Sequence, residues 1–137
     1  MKYDVVIGLE IHLELKTKTK MFSNAPVGFA QDANTACNEV DIALPGTLPT
    51  VNKDAVRKAI QACTALHLEI DPLVKFDRKN YYYSDLPKGF QITQQFRPIG
   101  SHGYIDLNVD GEEIRVRINR IHMEEDTAKQ FHLQDET

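Results

Sequence analysis

The run Tyr104–Ile105–Asp106–Leu107–Asn108–Val109, the dipeptide Asp110–Gly111 and the run Glu113–Ile114–Arg115–Val116–Arg117–Ile118–Asn119 carry the architecture of this chain. Each run alternates apolar and polar residues, which is the period of a strand with two unlike faces. Asp-Gly between two such runs marks a tight hairpin, because a two-residue turn that matches strand twist demands positive φ at both positions. The reading therefore starts from an antiparallel pair.

Working outward, the chain opens with a second alternation. Val5, Ile7, Leu9, Ile11, Leu13 and Leu15 are apolar, while Glu10, His12 and Glu14 fall between them. This predicts a further strand with carboxylate, imidazole and carboxylate on one face. Between the two alternations lies a helical pattern: Asn52 is suited to cap it, Val56, Ile60, Cys63 and Leu66 recur at helical spacing, and Asp71–Pro72 is the expected stop. Strands outnumber helices, so the class is α+β, a mostly antiparallel sheet with at least one packed helix. Ser23 to Asn34 reads as a long loop, and Leu44–Pro45–Gly46–Thr47–Leu48–Pro49 as a rigid turn.

The chain of 137 residues suffices for one core without staples. With 42% hydrophobic and 26% charged residues and a net charge of −4, it excludes whole-surface binding of nucleic acid while leaving room for a local basic patch. No apolar run reaches the roughly 20 residues of a membrane span, and no leader pattern opens the chain, so no membrane partner and a cytoplasmic location are expected. Cys37 and Cys63 lack paired spacing and are expected to be free, structural thiols. The ending Gln134–Asp135–Glu136–Thr137 has no tidy terminal element and looks like a cut through a larger protein.

Two constellations carry possible chemistry. The first joins Glu10, His12 and Glu14 to a distant acidic cluster, His122–Met123–Glu124–Glu125–Asp126, and two readings stand: a shared cation site or ordinary solvated faces. Oxygen donors suit magnesium, and imidazole moves the preference toward manganese or zinc, so donor type alone leaves the metal open. The second is the stretch from Phe76 to Gln94, where Arg78, Lys79 and Lys88 interleave with Tyr81, Tyr82 and Tyr83. Cations suit phosphates and tyrosines offer flat faces with hydroxyls, yet a structural strand and turn would look the same. No glycine-rich phosphate loop is present. His67 reads as a favourable charge at the helix end, and His102 and His132 as solvated. Ser23, Ser84 and Cys37 have no base at recognisable spacing, which argues against covalent nucleophilic catalysis.

Taken together, Val6–Ile7–Gly8–Leu9–Glu10–Ile11–His12–Leu13–Glu14–Leu15–Lys16–Thr17, the turn from Leu44 to Lys53, the stretch from Phe76 to Gln94 and Ile121–His122–Met123–Glu124–Glu125–Asp126 resemble one family, the B subunit of glutamyl/aspartyl-tRNA amidotransferase. The resemblance runs from about Val5 to Lys129. It implies ATP-dependent phosphorylation and amidation of misacylated Glu-tRNA(Gln) or Asp-tRNA(Asn), with ammonia supplied by an amidase A subunit and a small C subunit clamping the pair. By motif, Glu10, His12 and Glu125 would hold Mg2+, Glu124 would stand behind them, and Glu125, Lys79 and Lys88 would be the catalytic groups, the two lysines near the site or an ammonia channel. ATP enters as a substrate. Where many members carry four zinc-binding cysteines, this chain has Ser23, Ala25, Cys37 and Val40, so no structural zinc is expected. Members are several times longer. Residues 1–137 would form the N-terminal portion of a larger cradle-like catalytic domain, without the later helical and tRNA-binding tail domains. Such a piece is expected to be inactive alone, and an alternative for it is a non-catalytic module that contacts the amidase subunit.

Overall fold

Asn52 begins the helix as its residue type dictates. Its side-chain oxygen accepts from the backbone N–H groups of Asp54 at 2.9 Å and Ala55 at 3.4 Å, filling donors that a helix start leaves open. Its amide nitrogen meanwhile donates to Thr19 O at 3.0 Å and Lys20 O at 3.2 Å, so one residue both caps the helix and ties it to the loop before it. The helix α1 spans Lys53–Ala65 in this computed structural model, which describes residues 3–28, 32–84 and 86–126.

Helix α1 ends several residues before Asp71–Pro72. His67 turns into the left-handed region at φ 56°, and Leu68 N–H closes the end by donating to Cys63 O at 2.9 Å. The buried stripe also differs from expectation: Ala55, Ala59 and Cys63 are buried, while Ile60 is exposed. Small residues let the helix backbone lie close to the sheet, which a row of branched side chains would prevent.

Past the helix come β1 (Glu69–Ile70), β2 (Asp77–Asn80), β3 (Phe90–Thr93), β4 (Gly100–Val109) and β5 (Glu112–Ile121). They form two antiparallel sheets, β1-β4-β5 and β2-β3. The α+β reading is borne out. The hairpin is longer than its alternating runs suggested, and Leu107↔Ile114 and Asp106↔Arg115 set its register. Asp110 at φ 53° and Gly111 at φ 89° make the tight turn expected of Asp-Gly. One hairpin face carries Ile105, Leu107, Ile114 and Val116; the other carries Tyr104, Asp106, Arg115 and Arg117.

The core lies between α1 and the base of the hairpin, where Ala55, Ala59, Cys63, Leu68, Ile99 and Met123 close on one another. Burial pushes the Cys63 thiol above its ordinary pKa, so it packs as a small inert hydrophobe. Close approach is enforced at Gly103: a Cβ built there would lie 2.5 Å from Leu66 O and 2.5 Å from Leu68 Cγ. Gly103→Ala is therefore expected to destabilise the fold by about 1–3 kcal/mol, read as a lowered melting temperature. An unchanged melting temperature would mean that β4 shifts freely.

The opening alternation is the main difference from expectation. Val5 to Leu15 forms no strand, and Val5, Ile7, Leu9, Ile11 and Leu13 are exposed. Alternation prescribes two faces but supplies no partner for the backbone N–H and C=O groups, and no strand pairs with this segment among the described residues. Only Leu15 of that row reaches the core. His132, Lys129, Asp85 and the ending 134–137 lie outside the described residues.

Candidate functional site

The acidic motif is brought to the site by a glutamine. Gln94, buried at 1% exposure, accepts from Met123 N–H at 3.0 Å through Oε1 and donates to Lys75 O at 2.9 Å through Nε2. The next turn of the clamp is backbone: Glu125 N–H donates to Ile92 O at 2.9 Å, and Gln91 Nε2 donates to Glu125 O at 2.8 Å. Residues 122–126 thus run along β3, with Met123 pressed into the core.

Extended backbone sends neighbouring side chains to opposite sides. Glu124 faces the histidines: its carboxylate lies 4.0 Å from His12 Nδ1 and 3.4 Å from His122 Nε2. Glu125 meets a different set of partners, because Lys88 Nζ donates to its Oε1 and Ile92 N–H donates to its Oε2 at 3.1 Å. The Lys88 and Glu125 side chains are 7% and 14% exposed, so this ion pair is largely out of water. A pair so buried holds together strongly once formed, because either charge alone would be left without solvent. Burial lowers the Lys88 pKa, the nearby Asp41 carboxylate raises it, and the Lys20 ammonium lowers it again.

Lys88 and Glu125 line a cleft of about 230 Å³ with Lys20, Asp41, Leu86, Pro87 and Asp126. Lys20 and Asp41 carry no signal in the sequence that marks them as candidates. Lys20 Nζ lies 3.3 Å from Asp41 Oδ2, Ser23 Oγ donates to Asp41 Oδ1 at 3.0 Å, and Asn38 N–H donates to Oδ2 at 3.0 Å. Asp41 so organises the loop that forms the far wall of the cleft. Ser23, Ala25 and Cys37, at positions compared with zinc cysteines, do other work: Ser23 binds Asp41, Ala25 is buried, and the Cys37 thiol donates to Asn34 O.

The remaining candidates lie around this centre. Glu10 stands 3.8 Å from His12 Nε2, and both side chains are exposed. Lys79, on β2 opposite Gln91, stands 5.3 Å from the Tyr81 ring centroid, while Glu124 and Glu125 pair with His12, His122 and Lys88. The imidazole of His12 turns one nitrogen to Glu10 and the other to Glu124, so two carboxylates flank the ring and the three groups do not surround a point. Among the described residues no three histidine, cysteine or carboxylate groups stand close enough to hold one ion. The donor types suit a divalent cation, and the present spacing does not enclose one.

A chain with a docked acidic motif, a buried lysine–glutamate pair and an exposed histidine–carboxylate edge matches, over residues 5–137, the family model described as the GatB/GatE catalytic domain. The chain belongs to this family. Its relatives include the B subunit of the aspartyl/glutamyl-tRNA(Asn/Gln) amidotransferase of Mesoplasma florum, 58% identical over 98% of the chain. The proteins of the same name from Mycoplasma mobile and Staphylococcus carnosus are 57% and 54% identical over 98% and 96% of the chain. The chain spans 28% of the length of each of these three. No helix among the described residues is long and apolar enough to cross a membrane.

Proposed function

We propose that this chain contributes the N-terminal part of the catalytic domain of a tRNA-dependent amidotransferase, within its B subunit, acting in the cytoplasm with an amidase A subunit and a small C subunit. In this reaction a side-chain carboxylate oxygen of Glu-tRNA(Gln) or Asp-tRNA(Asn) attacks the γ-phosphorus of ATP, and ADP leaves. Ammonia released from glutamine then attacks the acyl carbon, the carbon–oxygen bond to phosphate breaks, and one proton is shed. The observation that carries this reading is the divergence of Glu124 and Glu125, adjacent in sequence, toward His12 and toward Lys88.

That divergence supports two working sides. Glu10, His12 and Glu124 form the side that would contribute to a Mg2+ site; such an ion, when bound, supplies charge neutralisation for phosphates. Glu125 and Lys88 form the amidation side. The Lys88 ammonium and Ile92 N–H orient the Glu125 carboxylate, and a remaining lone pair of Glu125 takes the proton as the amide forms. The metal role that resemblance gave Glu125 passes in this reading to Glu124, because it is Glu124 whose carboxylate stands 4.0 Å from His12 Nδ1. Lys79, exposed and cationic on β2, attracts phosphate toward the site.

The test separates the two sides in the full-length subunit assembled with its partners. Glu125→Gln is expected to keep ADP formation that depends on aminoacyl-tRNA while lowering amide formation by about 100-fold or more. His12→Ala is expected to lower both. Loss of ADP formation in Glu125→Gln would overturn the division. The exposed row Val5, Ile7, Leu9, Ile11 and Leu13 favours a second reading, an interaction module for the amidase subunit. Unchanged amidation in both variants would leave that reading standing.

A further inference from the structure

Between β2 and β3 the chain makes a loop pinned at several points, with Tyr81 N–H donating to Gly89 O at 3.1 Å and both Leu86 N–H to Tyr83 O and Gly89 N–H to Leu86 O at 3.1 Å. Leu86 is buried under it. Yet Tyr82 is 86% exposed and Tyr83 69%. The Tyr82 ring nonetheless has a seat. A Cβ at Gly89 would lie 3.0 Å from Tyr82 Cε1 and 3.2 Å from its Cδ1, and Gly89 sits at φ +70°, where a side chain is strained in any case. One edge of the ring, Cδ1 and Cε1, therefore lies beside the bare backbone of Gly89, and the rest of its surface is offered to solvent. Its seat, Gly89, directly follows Lys88 in the chain.

Cations lie over neighbouring rings of the same hairpin. Arg78 Cζ lies 4.2 Å from the Phe90 ring centroid, Lys79 Nζ 5.3 Å from that of Tyr81, and Lys88 Nζ 5.3 Å from that of Phe90. Asp77, the acid nearest them on β2, is already taken up by the backbone N–H groups of Gln95 at 2.7 Å and Phe96 at 3.0 Å. An exposed ring with one edge seated on Gly89, beside a strand that carries the exposed cations Arg78 and Lys79, suits an unpaired base with its phosphates.

We infer that Tyr82, seated on Gly89, is the platform on which an unpaired base at the 3′ end of the aminoacyl-tRNA stacks as its aminoacyl group approaches the Lys88–Glu125 cleft. The inference rests on the proposed amidation reaction and names the surface that presents its substrate. Tyr82 is here a binding residue with no part in bond making.

The experiment measures amidation by the full-length subunit in its complex, with ammonium chloride as nitrogen donor and aminoacyl-tRNA varied. Stacking on an aromatic side chain is worth about 1–3 kcal/mol per base, so Tyr82→Leu is expected to lower kcat/KM for aminoacyl-tRNA by about 5- to 150-fold, mainly through KM. Tyr82→Phe, which keeps the ring, is expected to recover most of that loss. Gly89→Ala, which removes the seat and keeps the ring, is expected to raise KM in the same direction. An unchanged kcat/KM in Tyr82→Leu, or equal losses in the leucine and phenylalanine variants, would overturn the inference. So would disruption of subunit assembly at unaltered KM, which would assign this surface to a protein partner. In each of these cases amidation by the parent complex would persist, so the reaction proposed above would stand; absence of amidation in the parent would instead fail that reaction.

Discussion

Replacing Lys88 by methionine is expected to cost the fold about 3–5 kcal/mol, because it leaves the Glu125 carboxylate buried without its counter-charge. The side chains are 7% and 14% exposed, so water cannot take over the role of the missing ammonium as it would at the surface. Glu125→Gln alone is expected to cost less, because the Asp41 carboxylate still stands near the Lys88 ammonium. The double variant removes both charges and is expected to be markedly less destabilised than the sum of the two single variants. Chemical unfolding of the full-length subunit and the three variants gives the coupling directly. If the single-variant costs simply add, Lys88 and Glu125 do not depend on each other, and the central element of the site is lost. Activity separates from stability here: the double variant, although better folded, is expected to remain about 100-fold or more impaired in amide formation, since the base is gone.

Gln94→Leu is expected to have the second large effect. The glutamine is buried, and its two polar atoms satisfy Met123 N–H and Lys75 O. An apolar side chain of similar size keeps the volume and abandons both partners, at about 1–3 kcal/mol for each buried group left unpaired. The loss is larger than energetic. Met123 N–H is the first of several points at which the acidic segment is fastened, ahead of the Glu125–Ile92 and Gln91–Glu125 bonds, so its release is expected to shift Glu124 and Glu125 together. The variant is expected to lower ADP formation and amide formation alike, unlike Glu125→Gln. A variant that loses stability while keeping both activities at parental rates would show that the segment is fastened elsewhere.

Local features of the sequence were legible in proportion to how local their causes are. Asn52 caps the helix through contacts two and three residues away, and Asp110–Gly111 turns the hairpin through its own backbone angles. The choice between Ile60 and Ala55 as the buried position was not legible, since helical spacing admits both and only the closeness of the sheet favours the smaller residue. The alternation from Val5 to Leu15 was read correctly as a pattern and wrongly as a strand within these residues, because pairing depends on a partner that a periodicity cannot name. In the site, the pairing of the opening segment with the acidic motif was anticipated, but the carboxylate that meets His12 is Glu124. Composition could not distinguish two adjacent glutamates; only the direction of the backbone beside β3 does. Lys20 and Asp41 gave no signal at all. Each lies in a loop, and what joins them is the folding of that loop over Lys88.

The opposed orientation of Glu124 and Glu125 imposes an arithmetic on this stretch of the gene. Met123 is locked in the core and Ile92 receives the backbone one step further on, so which carboxylate meets the histidine and which meets the lysine is a matter of parity. Inserting or deleting one residue after Met123 would exchange the two sides while leaving the composition almost unaltered; a change of two would restore their order but displace them along β3. The spacing between the core anchor and the acidic pair is thus constrained by geometry more tightly than the identity of many residues around it.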